Sequence, residues 1–509
     1  MRRVAILPAQ EAVKTIGDGA TIATTGFVGC GHPEELVLAL EQRFLSEEHP
    51  RNLTLVHAAG QGDGKNRGLN HLAYPGLVKC VIGGHWNLIP KLGRLAAENA
   101  IEAYNLPQGV ISQLFREIAA HHPGVITHVG LGSFADPRNG GGKLNRASQQ
   151  DLVEVICLAG HEWLLYKSFP IDVALVRGTA SDSYGNISLD EEALIGEGLS
   201  IAQAAKNSGG KVIAQVGRIV EDFSRDPKSI RIPGIFVDAV VVAHPEHHPQ
   251  TFSEPYNPAY VTQGQITSID LPRLPAGPRR CVARRAFMEI AEGDIVNLGI
   301  GMPEGVAQIA KEMGRLDRMV LTVEAGPIGG VPAGGLSFGA SVYPMAIIDQ
   351  PYMFDFYNGG GLNIACLGMG ECDEPGNVNV SKLSGRVTGV GGFLNIAQTT
   401  RRIVFMGTFT AGGLETSFEH GRLRIVREGK ARKFVRKVEH LTFSAAQALR
   451  DGKTVLYVTE RAVFRLTGEG LELIEIAPGI DLEANVLAQM DFRPLVAPGV
   501  KSMDPEIFQ

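Results

Sequence analysis

One stretch of this chain is written twice. Residues 171–189 (IDVALVRGTASDSYGNISL) align without gaps with residues 362–380 (LNIACLGMGECDEPGNVNV) at a constant offset of 191. Ala174/Ala365, Asp182/Asp373, Gly185/Gly376 and Asn186/Asn377 are identical, and the apolar positions correspond. A second pair precedes it in the same order: Ile16-Gly17-Asp18-Gly19-Ala20-Thr21-Ile22 against Ile290-Ala291-Glu292-Gly293-Asp294-Ile295-Val296. Each copy is followed by a glycine-rich turn and a Pro-Glu pair, Pro33-Glu34 and Pro303-Glu304. Two ordered matches imply a fused duplication, and a chain of 509 residues is long enough for two large cores. The boundary is expected in the proline-rich stretch 244–278, a linker between halves 1–243 and 279–509.

Each half reads as α/β. The runs Thr21–Thr24, Lys211–Val216, Ala239–Ala243 and Met319–Val323 have the β-branched, apolar character of buried strands. Between them lie helical patterns. Residues 303–313 place Pro303 in a first turn and Val306, Ile309, Ala310 and Met313 on one face, with Gly314 as a stop. The segment after Pro33 repeats this with Leu36, Val37, Leu40 and Phe44. Strands alternating with helices predict two related, open, mostly parallel sheets, with ligands at the carboxyl ends of the strands. From about Gly421 the text turns to strand-like fragments (LRIVREG, VLYVTE, AVFRLTG), which predict a β-rich C-terminal appendage.

Composition excludes several classes of function. A net charge of −6 without a basic stripe argues against nucleic acid. The start, MRRVAILPAQEAV, is neither a signal peptide nor a membrane span, and no later stretch is long and uncharged. Six cysteines without a CxxC pair give no disulfide framework and suit a reducing cytoplasm. The cluster His244, His247 and His248 lacks fixed ligand spacing and reads as solvated linker, so no metal site is expected.

Glycine is the unusual residue: 62 of 509, about 12% against a usual ~7%. Gly26-Phe27-Val28-Gly29-Cys30-Gly31 and Gly299-Ile300-Gly301 each follow a strand and precede a helix, where backbone amides can receive an anion or a thioester carbonyl. Closely packed turns explain them equally well. Neither completes a GxGxxG fingerprint. Val323-Glu324-Ala325-Gly326-Pro327 sets a carboxylate at the end of a strand among residues without bulk, a suitable place for a nucleophile that a large substrate must approach. A glutamate that caps a turn or pairs with an arginine is the competing account. Gly389-Val390-Gly391-Gly392-Phe393 offers successive amides for an oxyanion, each such donor contributing about 3 kcal/mol to a transition state. There is no GxSxG elbow and no phosphate loop, and His57, His71, His85 and His128 are scattered singles.

The duplication, the VEAG segment at 323–326 and GVGGFLNIAQ at 389–398 resemble the family I CoA transferases, in particular their fused, single-chain propionate (acetate, lactate) members. TTGFVG at 24–29, GHW at 84–86, DPRNGGGK at 136–143, KNSGG at 206–210, IPGIFVD at 232–238, GGVPAGG at 329–335, ECDEPGNVNVS at 371–381 and GTFTAGG at 407–413 extend the resemblance over most of the chain. It implies transfer of CoA between short-chain acyl-CoA thioesters and free carboxylic acids. Glu324 would be the catalytic residue, forming an acyl-glutamyl anhydride and then a glutamyl-CoA thioester. Gly391, Gly392 and Phe393, with Asn358, Gly359 and Gly360, would line the oxyanion and CoA channel. Gly26, Phe27, Val28 and Gly29 would close the acyl pocket. Coenzyme A enters as substrate, no other cofactor is implied, and a homo-oligomer (tetramer or dimer) is expected. The residue after the glutamate is more often Ser or Asn in that family; here it is Ala325, which removes a hydrogen-bond donor. A short-chain acyl-CoA hydrolase, in which water discharges the same acyl-enzyme, and a non-catalytic sensor of small acids are the competing functions.

Overall fold

The structure is a computed structural model that describes residues 3–222, 224 and 226–509. The chain forms two compact units. The first comprises Met1–Gly264, Val323–Asp355 and Gly385–Asn395; the second comprises Gln265–Thr322, Phe356–Ser384 and Ile396–Gln509.

In the first unit eight strands run side by side in the order Ala5–Ile6, Ala239–Val242, Lys211–Ile219, Val173–Ser181, Thr21–Thr24, Leu53–His57, Val78–Gly83 and Glu102–Asn105. Every neighbouring pair among them is parallel. Alternation along the strands explains why helices cover both faces. Ile22, Leu55 and Val81 point into a core with Leu36, Val37 and Leu40 of the helix Glu34–Glu47 and Leu92 of Pro90–Ala97. Their neighbours Ala23, Val56 and Ile82 point to the opposite core, with Val110, Ile111 and Leu114 of Gln108–Ala119 and Ile201 of Gly198–Asn207. Such near-continuous apolar strands are what a sheet buried on both faces requires.

The second unit carries parallel strands in the order Val320–Thr322, Ile295–Leu298, Ile364–Gly368, Arg402–Met406 and Thr454–Val458. The β-rich C-terminal part is present, and it includes the exposed hairpin Glu415–Glu419/Arg422–Arg427. Three of its other strands, Ala462–Thr467, Gly470–Ile476 and Leu495–Ser502, extend the main sheet itself. The helix expected over 303–313 spans Gly305–Glu312 behind a single 3-10 turn.

The repeated segments do the same work in both units. Asp182 Oδ1 accepts from the Asn186 amide at 3.0 Å and its Oδ2 from Asn186 Nδ2 at 2.8 Å. Asp373 does likewise with Asn377, at 2.8 and 3.1 Å. Between them Gly185 and Gly376 sit at φ 86° and 95°, a left-handed turn that a side chain would strain. The residues identical in sequence are thus the ones that close this turn.

The segment 244–278 divides. His244–Gly264 packs within the first unit, with Phe252 and Tyr260 buried, and the remainder lies in the second. The histidine cluster is tied down and not simply solvated. His247 Nδ1 lies 2.6 Å from Glu35, and the largely buried His248 lies 3.5 Å from Glu192. No helix among the described residues is long and apolar enough to cross a membrane.

Candidate active site

Glu324 lies two residues beyond the strand Val320–Thr322, inside a tight turn. The Val323 amide donates to the Pro327 carbonyl at 3.0 Å, and the Gly326 amide to the Val323 carbonyl at 3.0 Å. Gly326 is required there. Its φ is 127°, and a Cβ would stand 2.0 Å from the Ile348 carbonyl oxygen. Glu324 is 8% exposed, while Val323 and Ala325 are packed into an apolar cluster with Phe27, Val28, Phe338 and Ala340. The missing hydroxyl or amide at Ala325 is therefore replaced by a methyl group in an apolar wall.

The loop Gly26–Gly31 forms one side of that cluster. Phe27 and Cys30 exchange two backbone hydrogen bonds of 2.9 Å, and the Val28 amide donates to Gly60 at 2.7 Å. Val28 has φ 56°, a costly conformation for a β-branched residue that tends to mark functional loops. A Cβ on Gly29 would fall 2.3 Å from the Phe252 ring, so no larger residue fits there. The Phe27 and Phe338 rings pack with centroids 5.5 Å apart.

The segment 388–393 is bound to the carboxyl ends of two strands of the first unit. Trp86 and Asn87 amides donate to the Thr388 carbonyl, each at 2.9 Å, and the Val390 amide donates to Asn105 Oδ1 at 3.0 Å. The Gln108 amide donates to the Gly391 carbonyl at 3.0 Å. Gly391 donates its own N–H to the Gly84 carbonyl at 2.7 Å, so that amide is already engaged. Gly392 lies directly against the glutamate: a Cβ there would stand 3.1 Å from Glu324 Cγ and 3.3 Å from Oε1. Phe393 opens the short helix Phe393–Thr399 and packs on the core of the first unit.

Glu324, the Gly26–Gly29 loop and Gly391–Phe393 thus belong to one compact unit, although two of the three come from the second half of the sequence. Asn358, Gly359 and Gly360 lie in or beside the second unit's portion of the helix Gln350–Asn358, where Gly360 at φ 84° turns the chain and donates to the Tyr357 carbonyl at 2.9 Å.

Several polar residues around the site were invisible or mute in the sequence. His85 is buried beside Gly60 and Gly391, and burial pushes its imidazole down to about 4, so it is neutral. His57 donates from Nδ1 to the Ala59 carbonyl at 2.8 Å, and burial likewise holds its imidazole down at about 4. Behind the Gly26 loop, Glu34 gathers His71 Nε2 at 3.2 Å, the Gly68 amide at 2.9 Å and Arg67 at 3.6 Å. Burial alone would raise the Glu34 carboxyl; the flanking His71, His32 and Gly68 outweigh it and hold the group at about 2. Arg67 in turn covers the Phe252 ring at 4.0 Å, bracing the residue that abuts Gly29. In the sequence His57, His71 and His85 stand as scattered singles and Glu34 only as part of a repeated Pro-Glu pair, so nothing local signals that they gather here.

The sequence profile of the family described as coenzyme A transferase matches residues 6–243. The chain is 44% identical over 510 residues to the acetate CoA-transferase YdiF of Escherichia coli K12, covering 99% of this chain and 95% of that protein. It is also 44% identical over 508 residues to the caffeate CoA-transferase of Acetobacterium woodii, covering 99% and 97%. The crystal structure of the YdiF apoenzyme from Escherichia coli O157:H7 superposes with a TM-score of 0.95 at 43% identity, over 100% of this chain and 96% of that one. The same enzyme's thioester complex with CoA gives 0.94 at 42% identity, with the same coverage. The chain belongs to the coenzyme A transferase family. It is an enzyme that passes CoA from an acyl-CoA thioester to a free carboxylic acid.

Proposed function

We propose that Glu324 carries the transferred CoA, and that the acids exchanged are short-chain ones of the acetate and propionate type. The observation that carries this reading is the position of the Glu324 carboxyl, buried at a strand end and set against the α-carbon of Gly392. A Glu324 oxygen attacks the acyl carbonyl; the carbon–sulfur bond breaks, CoA leaves as thiolate, and an acyl-glutamyl anhydride remains. The thiolate then attacks the glutamyl carbonyl; the bond between the glutamyl carbonyl carbon and the bridging oxygen breaks, the first acid leaves with that oxygen as carboxylate, and a glutamyl-CoA thioester remains. A second carboxylate reverses these steps. Every step exchanges one activated carboxyl for another, so coenzyme A as substrate suffices and no metal or redox group takes part. The Gly392 N–H, adjacent to the glutamate and without a protein partner among the described residues, is the donor assigned to the developing oxyanion.

The apolar cluster of Phe27, Val28 and Phe338 supports small acyl groups, because it packs with Val323 and Ala325 on either side of Glu324. The thioester complex with CoA of the YdiF relative supports a covalent route. The test is to supply propionyl-CoA with acetate, lactate, butyrate or caffeate. Acetyl-CoA should form fastest and caffeoyl-CoA slowest, and Glu324→Ala should abolish all of them. Preferred transfer to caffeate would overturn the assignment of substrate size, and thiol release without an acceptor would favour a hydrolase.

A further inference from the structure

Glu197 is the one described carboxylate that is almost wholly buried, 1% exposed, with neither oxygen hydrogen-bonded. It immediately precedes the helix Gly198–Asn207. Its neighbour Gly196 accepts a 2.9 Å hydrogen bond from the Gln350 amide. The Gln350 side chain, itself 1% exposed, accepts from Gln108 Nε2 at 3.4 Å, while its own Nε2 has no partner. Gln108 is bonded through its backbone to Gly391, next to the glycine that touches Glu324. On the other side, missing methyl groups at Gly196 and Gly198 would meet Leu194 at 3.2 Å and Thr25 at 3.5 Å, and Thr25 donates to Gly31 of the acyl loop at 2.7 Å. The backbone on either side of Glu197, at Gly196 and Gly198, therefore runs between the segments leading to the two loops that border Glu324.

The charged groups on the surrounding segments are committed elsewhere. Glu192 pairs with Arg177 at 3.1 Å and Glu191 with Arg218 at 2.8 Å. Asp349 is raised by burial and lowered by Arg231, and Cys30 is a buried thiol pushed up to about 12. No cation among them offsets a charge on Glu197. Burial outweighs the lowering influence of its own backbone amide and raises its carboxyl to about 8. At neutral pH the group is a carboxylic acid with an O–H to donate. The Gln350 Nε2 supplies further donors. Two buried groups without partners, carried on backbones joined by the Gln350–Gly196 hydrogen bond, both lack an acceptor oxygen, and this enzyme's substrates bring a carboxylate.

We propose that neutral Glu197 and the Gln350 side-chain amide receive the carboxylate of the free acid before it meets the loaded Glu324. This rests on the reading that the acid is exchanged at Glu324, but acid binding can be measured without any covalent step. The experiment is a direct titration of the full-length enzyme with sodium acetate at about pH 7 and about pH 9.5, for the wild type, Glu197→Gln and Glu197→Ala. Wild-type affinity should weaken roughly tenfold or more at the higher pH, as Glu197 ionises and repels the anion. Glu197→Gln keeps a neutral donor, and its affinity should stay within about threefold at both pH values. Glu197→Ala should bind roughly tenfold more weakly at about pH 7. Affinity in the wild type that is flat with pH, or an equal alkaline loss in Glu197→Gln, would overturn the proposal. So would wild-type affinity in Glu197→Ala. If Glu197→Ala does not fold, the comparison of wild type with Glu197→Gln decides alone. Were Glu324 not the carrier, its CoA adduct would be missing while the acetate titrations still separated these variants.

Discussion

Replacing Gly392 by alanine perturbs the nucleophile and little else. The backbone there does not lie in the left-handed region, so alanine is tolerated conformationally, unlike at Gly389 or Gly391 with φ of 75° and 54°. The new methyl group would stand 3.1 Å from Glu324 Cγ and 3.3 Å from Oε1, tighter than ordinary van der Waals contact. The glutamate must therefore give by a few tenths of an ångström, away from the amide that is to hold the oxyanion. Removing one such donor is typically associated with about 3 kcal/mol, and misplacing a reacting group by about 1 Å with roughly 100-fold in rate. A smaller displacement at both partners predicts a fall in kcat of roughly 10- to 100-fold, with the melting temperature nearly unchanged. The assay is acetyl-CoA formation from propionyl-CoA and acetate, read beside a thermal melt. Wild-type kcat in Gly392→Ala would refute the placement of Gly392 against the reacting carboxylate. Gly389→Ala is the control for fold, because its methyl group would strike the Trp86 backbone nitrogen at 2.6 Å and should lower the melting temperature.

Glu34→Gln should destabilise the first unit at neutral pH by about 3 kcal/mol, because the native carboxyl is held near 2 against an ordinary 4.5. The depressed value stabilises above about pH 4.5 and is lost as pH falls towards 2, so acid melts of wild type and variant should converge there. Glu197→Gln should act in the opposite sense. A carboxyl raised to about 8 is stabilising to leave neutral, so wild-type stability falls between pH 4.5 and 8 by about 1.4 kcal/mol per unit for this group, and the glutamine variant should melt higher at pH 8. Phe27→Ala should cost about 3 kcal/mol in denaturant melts and widen the range of acids accepted, since its ring fills the wall beside Ala325.

Much of this was legible before any coordinates. The twin Asp-Gly-Asn turns show in the sequence because only glycine suits their left-handed backbone and only Asp and Asn close them. Glu324 stood out as a candidate because a strand pattern ends and small residues begin beside it, but that pattern left a turn-capping glutamate equally open and the resemblance alone implied a catalytic role. What could not be read was which loops share a unit. The contacts that tie 388–395 into the first unit, Val390 to Asn105 and Gly109 to Asn395, join residues 285 and 286 apart and leave no local pattern. Glu197 was missed for a related reason. It stands in a segment of several acidic residues, and whether one of them is buried without a partner depends on neighbours such as Gln350 and Thr25, contributed by other parts of the fold. The C-terminal strands were seen as strands, but their continuation of the main sheet depends on pairing such as Leu456 with Arg465 and Arg402 with Thr454.

The central claim is that CoA rides on Glu324. The most direct measurement is intact and peptide mass spectrometry of the enzyme after brief incubation with propionyl-CoA and no acceptor acid. A mass increase of CoA less one water should appear on the peptide containing Glu324, disappear on adding acetate, and be converted by borohydride at the same residue. Glu324→Gln should show none of it. An adduct that persists in Glu324→Gln, or turnover by the wild type with no adduct on that peptide, would contradict the account.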